Sequence, residues 1–390
     1  MKFEDIREVH LEPTQKCNAR CPQCARSVFG GATDPDLPLY DLNMDDIQNI
    51  FSKKLCSQLD LVLLCGTHGD PIFSEVTLKS VEYLRRNGVK SIWLYTNGSA
   101  KSSEWWQELA KLLDSPKDRV CFSIDGLEDT NHLYRIGTKW ENIMRSVESY
   151  TGAGGKARWE FLVFKHNEHQ VEEAQELAKK LGFHDFRIRK TARFKPQFRG
   201  NAKSMTPILN KMSEEETKDF VENFKYIPTD RFNTDYIIEP PEKQELKNDA
   251  IANKYINIIK KYETFENFVD KAEISCLYRN RFKRIYVNSN AKLWPCSYVG
   301  SLEFEWLKSE YYIELREKVI NRYGENFNSL RTQTLEEALK HPWFNEDLVC
   351  SFENRLDDSK NPRLFKCGRT CGKDFDPIMA QTEHKRLLND

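Results

Sequence analysis

A chain of 390 residues has room for one large α/β domain and a smaller companion, at the usual ~150 residues per domain. The 59 lysines and arginines nearly balance the 60 aspartates and glutamates, so a net charge of −1 gives no global field toward nucleic acid or an anionic membrane. Apolar runs such as Leu61 to Cys65 fall far short of the ~20 residues a bilayer span needs, and the acidic start Met1-Lys2-Phe3-Glu4-Asp5 lacks the apolar segment of a signal peptide. A cytoplasmic protein is expected, in which eleven cysteines point to metal ligation rather than disulfides.

Val9-His10-Leu11 reads as a first strand and runs into Cys17-Asn18-Ala19-Arg20-Cys21-Pro22-Gln23-Cys24. Asn43 caps a helical run from Met44 to Lys53. Strands are then expected at Leu59 to Leu64, Ser91 to Tyr95, Val120 to Ile124, Trp159 to Phe164 and Phe186 to Arg189. Helices fall between them, through Leu78, Val81 and Leu84, then Ser102 to Leu113, Trp140 to Tyr150, and Val171 to Leu181 closing on Gly182. Near-continuous apolar strands alternating with amphipathic helices predict a parallel sheet. Six such units over residues 1–195 predict an α/β fold, a partial (β/α)6 TIM-like barrel, because a closed barrel of this type has eight.

After Pro196 the chain turns rich in Lys, Glu and Asn, punctuated by Pro207, Pro228, Pro240 and Pro241, and a helical connecting region over 196–270 is expected. Beyond Cys276 comes a hairpin, Arg284 to Val287 and Ala291 to Trp294 around Asn288-Ser289-Asn290. Helices near Tyr311 to Arg322 and Thr334 to Leu339 follow, then a loop ending in Cys367 and Cys371. Residues 271–390 read as a smaller C-terminal α+β domain that binds a cluster.

Three thiolates spaced like Cys17, Cys21 and Cys24 can hold three irons of a 4Fe–4S cubane and leave the fourth open for chemistry. A zinc site is the alternative, but zinc knuckles bring Cys-x-x-Cys pairs and a nearby fourth ligand, and no other Cys or His lies between residues 11 and 55. The spacing resembles the signature of the radical S-adenosylmethionine (radical SAM) superfamily. In a parallel α/β domain, ligands sit at the C-terminal ends of strands. Cys65-Gly66-Thr67-His68-Gly69-Asp70-Pro71 follows the second strand and resembles the family motif whose backbone takes the cofactor's amino group, with Asp70 in place of the usual Glu. On residues alone it is a tight turn using Gly66 and Gly69.

Thr96-Asn97-Gly98 and Ser123-Ile124-Asp125-Gly126 end the third and fourth strands. Generic turns by composition, they occupy positions that in similar proteins approach the ribose and methionine parts of the cofactor. Tyr134-Arg135-x-Gly137 also resembles the family pattern, although an Arg there can simply be solvated or capping. After the fifth strand, Asn167 and His169 can face the adenosyl group or cap the next helix. The sixth strand leads into Arg187, Arg189, Lys190, Arg193, Lys195 and Arg199, interleaved with Phe194 and Phe198. Such a run is a solvated face, or else one Arg, Arg189 first, clamps the cofactor carboxylate while others meet an acidic substrate. Nucleic acid is a third option, opposed by the near-zero net charge and the absence of an RNA-binding motif.

Cys276, Cys296, Cys350, Cys367 and Cys371 form the second set. Their placement around the hairpin and in a closing Cys-x-x-x-Cys resembles a SPASM or twitch auxiliary domain. Ala291 stands where that family has Gly, and the full seven-cysteine pattern is missing. Five thiols fill one four-ligand auxiliary 4Fe–4S cluster, with Cys276, Cys296, Cys367 and Cys371 as first choice and Cys350 spare or replacing Cys367. Zinc and free buried cysteines are the alternatives. Cys56, Cys65 and Cys121 lie on apolar segments and read as core.

The radical SAM resemblance covers residues 7 to about 195, the SPASM/twitch likeness about 270 to 375 more loosely. Together they imply reductive cleavage of S-adenosylmethionine to a 5′-deoxyadenosyl radical that abstracts hydrogen from a substrate C–H bond, with a flavodoxin or ferredoxin as reductant. Oxidative modification of a peptide or protein side chain is the first expectation, and dehydrogenation or rearrangement of a small molecule the second. An iron–sulfur electron-transfer or scaffold protein is a different class, which would not need the motif behind the second strand. With the first strand so near the start, peptide recognition is expected from a separate protein or from residues 200–270.

Overall fold

The computed structural model describes residues 1–28, 32–34, 37–191, 238–304, 310–375 and 384–386. Its main sheet takes β1 (Glu8–Leu11), β2 (Leu61–Leu64), β3 (Ile92–Thr96), β4 (Arg119–Ser123), β5 (Ala157–Leu162) and β6 (Asp185–Arg189) in chain order, each parallel to the next. Helices α1 (Met44–Ile50), α2 (Lys53–Gln58), α3 (Thr77–Arg86), α4 (Ser103–Leu112), α5 (Trp140–Gly152) and α6 (Val171–Lys180) connect them. The expected α/β partial barrel is therefore present. The helical run expected from Met44 to Lys53 breaks at Ile50: Asn43 and Asp46 form a reciprocal capping box at the start of α1, and the Ser52 hydroxyl starts α2 by accepting from Leu55 N–H.

The strands are not apolar on both faces, contrary to the near-continuous pattern expected. Register places Val9, Val62 and Ile92 side by side, then Phe122, Trp159 and Phe186, all buried in one core with Val81, Trp106, Leu109, Val147 and Ala174 of the helices. The opposite face pairs Tyr95 with Cys121, Cys121 with Arg158, Arg158 with Asp185, and Ser123 with Glu160. Helices cover only one side of a partial barrel, so its inner side is free to carry polar groups. They are mutually neutralised: Arg158 Nε and Arg187 Nε each donate to Asp185 Oδ2 at 2.8 Å, and the Arg158 guanidinium lies 4.9 Å from the Trp93 ring centre.

The expected hairpin exists as β7 (Arg284–Val287) and β8 (Leu293–Trp294), but it is no separate sheet. β7 lies parallel beside β1, pairing Glu8 with Arg284 and Leu11 with Val287, and β8 with the short β9 (His384–Arg386) closes the two edges antiparallel. Ile285, Val287, Leu293 and Trp294 thus share the N-terminal core. Ala291 adopts φ 53°, the left-handed region that Gly enters without cost, which explains why a Gly is usual at that turn.

Of the expected connecting region, residues 238–270 are described and include helices Asp249–Tyr262 and Phe265–Lys271. Arg193, Phe194, Lys195, Phe198 and Arg199 lie outside the described residues. Among the described residues no helix is long and apolar enough to cross a membrane.

Candidate active site at the open end of the barrel

The loop after β1 carries Cys17, Cys21 and Cys24 into a small apolar cluster with Ala19, Tyr134, Phe164 and Ile238. Each sulfur faces an N–H donor. Cys17 Sγ accepts from Ala19 N (3.3 Å) and Asn97 Nδ2 (3.6 Å), Cys21 Sγ from Arg135 Nη1 (3.6 Å), and Cys24 Sγ from Arg26 N (3.5 Å). Burial pushes the Cys17 thiol well above its ordinary range and Cys21 up to about 11, so as free groups both stay protonated. A metal is what would make them thiolates, and N–H donors aimed at sulfur are what metal-bound thiolates use. Among the described residues, no three His, Cys, Asp or Glu side chains already surround a point as a single ion requires. The donor set nevertheless fits an iron–sulfur cluster held by three thiolates.

The loop after β2 folds over this set. A Cβ on Gly66 would stand 1.9 Å from Gly69 O, and one on Gly69 would stand 2.0 Å from Thr14 O, so both positions demand glycine for close backbone approach. Thr67 is half-buried beside them. Asp70 is buried and its carboxylate is fully engaged: Oδ2 accepts Asn97 N (2.7 Å) and Thr96 Oγ1 (3.1 Å), and Oδ1 accepts Ile72 N (3.2 Å). Burial lifts this carboxyl to about 6 against those hydrogen bonds. Asn97 also donates to Asn18 Oδ1 at 3.0 Å, tying the end of β3 to the cysteine loop. The Arg26 guanidinium, buried, spans Gln15 O and His68 O, joining the cysteine loop to the β2 loop.

At the ends of β4 to β6 the sequence expectations divide. Ser123 is half-buried on the inner face, and Arg189 on the same face is paired with Glu160. Asp125 is fully buried and offers no free oxygen: Oδ2 accepts Arg135 Nε (2.6 Å) and Oδ1 accepts Leu162 N (2.7 Å). Its carboxylate orients Arg135 toward Cys21 instead of facing a ligand. Asn167, expected to face an adenosyl group or to cap the next helix, stands at the N-cap position of the short helix Glu168–Gln170, and its side chain is turned to backbone. Its amide donates to Asp125 O (2.9 Å) and Leu162 O (3.0 Å) and accepts Phe164 N (2.7 Å), with no side-chain bond to the following helix. It staples β5 to the turn after β4. His169 is exposed.

Arg135 is the residue that sequence reasoning undervalued, and Glu12 and Arg26 are residues it missed. For Arg135 the signal was present in the Tyr134-Arg135-x-Gly137 pattern: Gly137 has φ 91°, a Cβ there would stand 2.6 Å from Asn18 O, and Ile136 O accepts Arg20 N at 2.9 Å. The segment docks on the cysteine loop because only glycine lets it approach.

The second cysteine set converges on a small cavity lined by Cys276, Cys296, Cys367 and Cys371 together with Lys366 and Phe352. The Cys371 thiol donating to it brings Cys276 down to about 7, whereas burial carries Cys296 up to about 12 and Cys367 well above the ordinary thiol range. Cys350 is exposed and does not line the cavity. Cys56 and Cys121 are buried, and Cys65 is half-buried, its carbonyl bonded to His10 Nε2 at 2.6 Å.

Residues 11–181 match the Radical SAM superfamily. A probable GTP 3′,8-cyclase of Methanocaldococcus jannaschii is 23% identical over 225 residues, which is 56% of this chain and 70% of that protein. A GTP 3′,8-cyclase of Staphylococcus epidermidis is 24% identical over 171 residues, 43% of this chain and 48% of the relative, so the match spans about half of that protein. Among solved structures, Streptococcus suis SuiB bound to precursor peptide SuiA is similar over 93% of this chain and 70% of its own, with 15% identity and a TM-score of 0.50. The structure of anSMEcpe with bound AdoMet is similar over 95% and 92%, with 14% identity and a TM-score of 0.46. The likeness to SuiB is one of fold. Residues 11–181, which place the cysteine loop and the strand-end motifs around one site, are a radical SAM domain.

Proposed function

We propose that the protein is a radical SAM enzyme that oxidatively modifies a peptide or protein side chain. The observation that carries the reading is the position of Asn97. Its side chain donates to Cys17 Sγ while its backbone N–H is held by Asp70, so the thiol loop and the glycine loop form one site. Bound there, a 4Fe–4S cluster and S-adenosylmethionine supply reductive cleavage to a 5′-deoxyadenosyl radical able to remove hydrogen from a C–H bond.

The chain's own residues have separable tasks. Cys17, Cys21 and Cys24 hold the cluster, and Arg135 and Asn97 stabilise negative charge on its sulfurs. The backbone of Gly66 to Asp70 receives the cofactor's ammonium group, with Asp70 fixing the shape of that loop. Thr67 and Ser123 offer hydroxyls for the ribose, Thr96 serves by holding Asp70, and Arg189 is the candidate clamp for the carboxylate. The polar inner face between Ser123 and Arg187 supplies hydrogen-bonding groups for substrate and a screen against water. Cys276, Cys296, Cys367 and Cys371 would hold one auxiliary 4Fe–4S cluster, with Cys350 left out. Residues 1–195, 196–270 and 271–390 are the proposed functional units, with a flavodoxin or ferredoxin as reductant.

The peptide reading is supported by the fold shared with SuiB, which is known in complex with its precursor peptide. A small-molecule rearrangement is the second reading, favoured by the two GTP 3′,8-cyclases among the relatives. The anaerobically reconstituted protein, given S-adenosylmethionine and a strong reductant, is expected to release 5′-deoxyadenosine, and C17A, C21A and C24A to release none. Release by those variants would end the reading. Stimulation of cleavage by peptides rather than by GTP separates the two substrate classes.

A further inference from the structure

Glu12 sits just beyond β1, fully buried, and does not belong to either cysteine set. Its Oε1 accepts two consecutive backbone N–H groups of the glycine loop, His68 at 2.5 Å and Gly69 at 3.2 Å. Its Oε2 accepts the hydroxyl of Tyr286 at 2.5 Å, and its own N–H donates to Val287 O at 2.9 Å. Tyr286 belongs to β7, the strand that lies between Cys276 and Cys296. Burial alone would raise the Glu12 carboxyl, but donors from His68 and Tyr286 outweigh it and keep the group below the usual range, hence charged.

A turn as tight as Gly66 to Asp70 has little internal pairing to hold its shape. Two successive N–H groups pointing the same way form a concave donor pair that an anion locks. Here the anion is a side chain from the residue after β1, so the loop's backbone is held from its N–H side. The same carboxylate reaches the hairpin that lies between Cys276 and Cys296 of the second cysteine set.

We propose that Glu12 is a positioning residue that holds the Gly66–Asp70 backbone in the shape that receives the ammonium group of S-adenosylmethionine and, through Tyr286, links that loop to the hairpin between Cys276 and Cys296. This rests on the reading of that loop as the cofactor's amino site. Glu12 touches no reacting atom, and its effect is transmitted through the loop.

The test compares anaerobically reconstituted holoenzymes carrying E12A, E12Q, Y286F and D70A, reading the dissociation constant for S-adenosylmethionine and the iron content. E12A, which orphans three buried donors, is expected to weaken binding by about tenfold or more with iron unchanged. E12Q keeps an oxygen for the two N–H groups and an NH₂ for the Tyr286 oxygen, so it should stay within about threefold of the parent. Y286F, which removes one donor, should weaken binding by about threefold to tenfold. An iron-replete E12A that binds as tightly as the parent, while D70A binds weakly, overturns the proposal and spares the loop assignment. If neither E12A nor D70A changes binding, the loop assignment fails and the proposal falls with it. E12Q as weak as E12A with iron intact overturns the hydrogen-bonding account. Should E12A lose its iron, Y286F decides, and unchanged affinity there overturns the proposal.

Discussion

Replacing Arg135 by Met would leave Asp125 with a buried, ionised carboxylate and only the Leu162 N–H for company. In the parent, Arg135 Nε approaches Asp125 Oδ2 to 2.6 Å with both side chains largely shielded from solvent. Removing one partner of such a pair costs about 3–5 kcal/mol. With about 2.1 cal/mol/K of unfolding entropy per residue, a chain of 390 residues converts that into about 4–6 °C of Tm. The cost has a predictable pH dependence. Burial already raises the Asp125 carboxyl and Arg135 pulls it back, so the variant's folded value lies further above its unfolded value of about 4. A folded value above the unfolded one means that stability is lost as pH rises through that window. The deficit of R135M should therefore be larger near about pH 8 than near about pH 5.5. Differential scanning calorimetry of the anaerobic holoenzyme measures it, and R135M/D125N should recover about half or more of the loss because no charge is then stranded. A second readout separates packing from function: without a donor to Cys21 Sγ, the site's midpoint potential should move more negative. A deficit below about 1 kcal/mol, or one equal at both pH values, would refute the electrostatic account.

Iron analysis should give about eight irons per chain in the parent and about four in the C17A/C21A/C24A or C276A/C296A variants. About four irons plus one zinc in the parent would remove the auxiliary cluster but not the first. C350A should keep its iron, since that thiol is exposed and away from the cavity, whereas C367A should lose the auxiliary share; the reverse result would exchange their roles. Affinity for S-adenosylmethionine should fall as pH drops through about 6, where the Asp70 carboxyl takes up a proton and no longer accepts from both Thr96 and Asn97; a flat binding profile between about pH 5 and about pH 8 would refute that coupling.

Some of these features were legible because they are local. The spacing of Cys17, Cys21 and Cys24 states a ligand geometry within one loop, and Gly66 and Gly69 mark backbone that must approach other backbone. Asn43 and Ser52 announce helix starts by chemistry confined to a turn. The surroundings of Asp125 and Asn167 were illegible for the opposite reason. A polar residue at a strand end looks the same whether it faces a ligand or is consumed by a neighbouring strand, and here Leu162 N–H, Arg135 and the Asp125 carbonyl consumed them.

Composition and periodicity by themselves determined an α/β chain with a parallel sheet, a cysteine loop at the end of its first strand, and a later hairpin, because those depend on neighbours within a few residues. Only the tertiary structure decided that the hairpin extends the same sheet beside β1, that Arg135 faces Cys21, and that Cys367 rather than Cys350 joins the second thiol set. Those outcomes turn on which groups a closed core brings together across long stretches of chain, where burial and pairing decide and sequence spacing is silent.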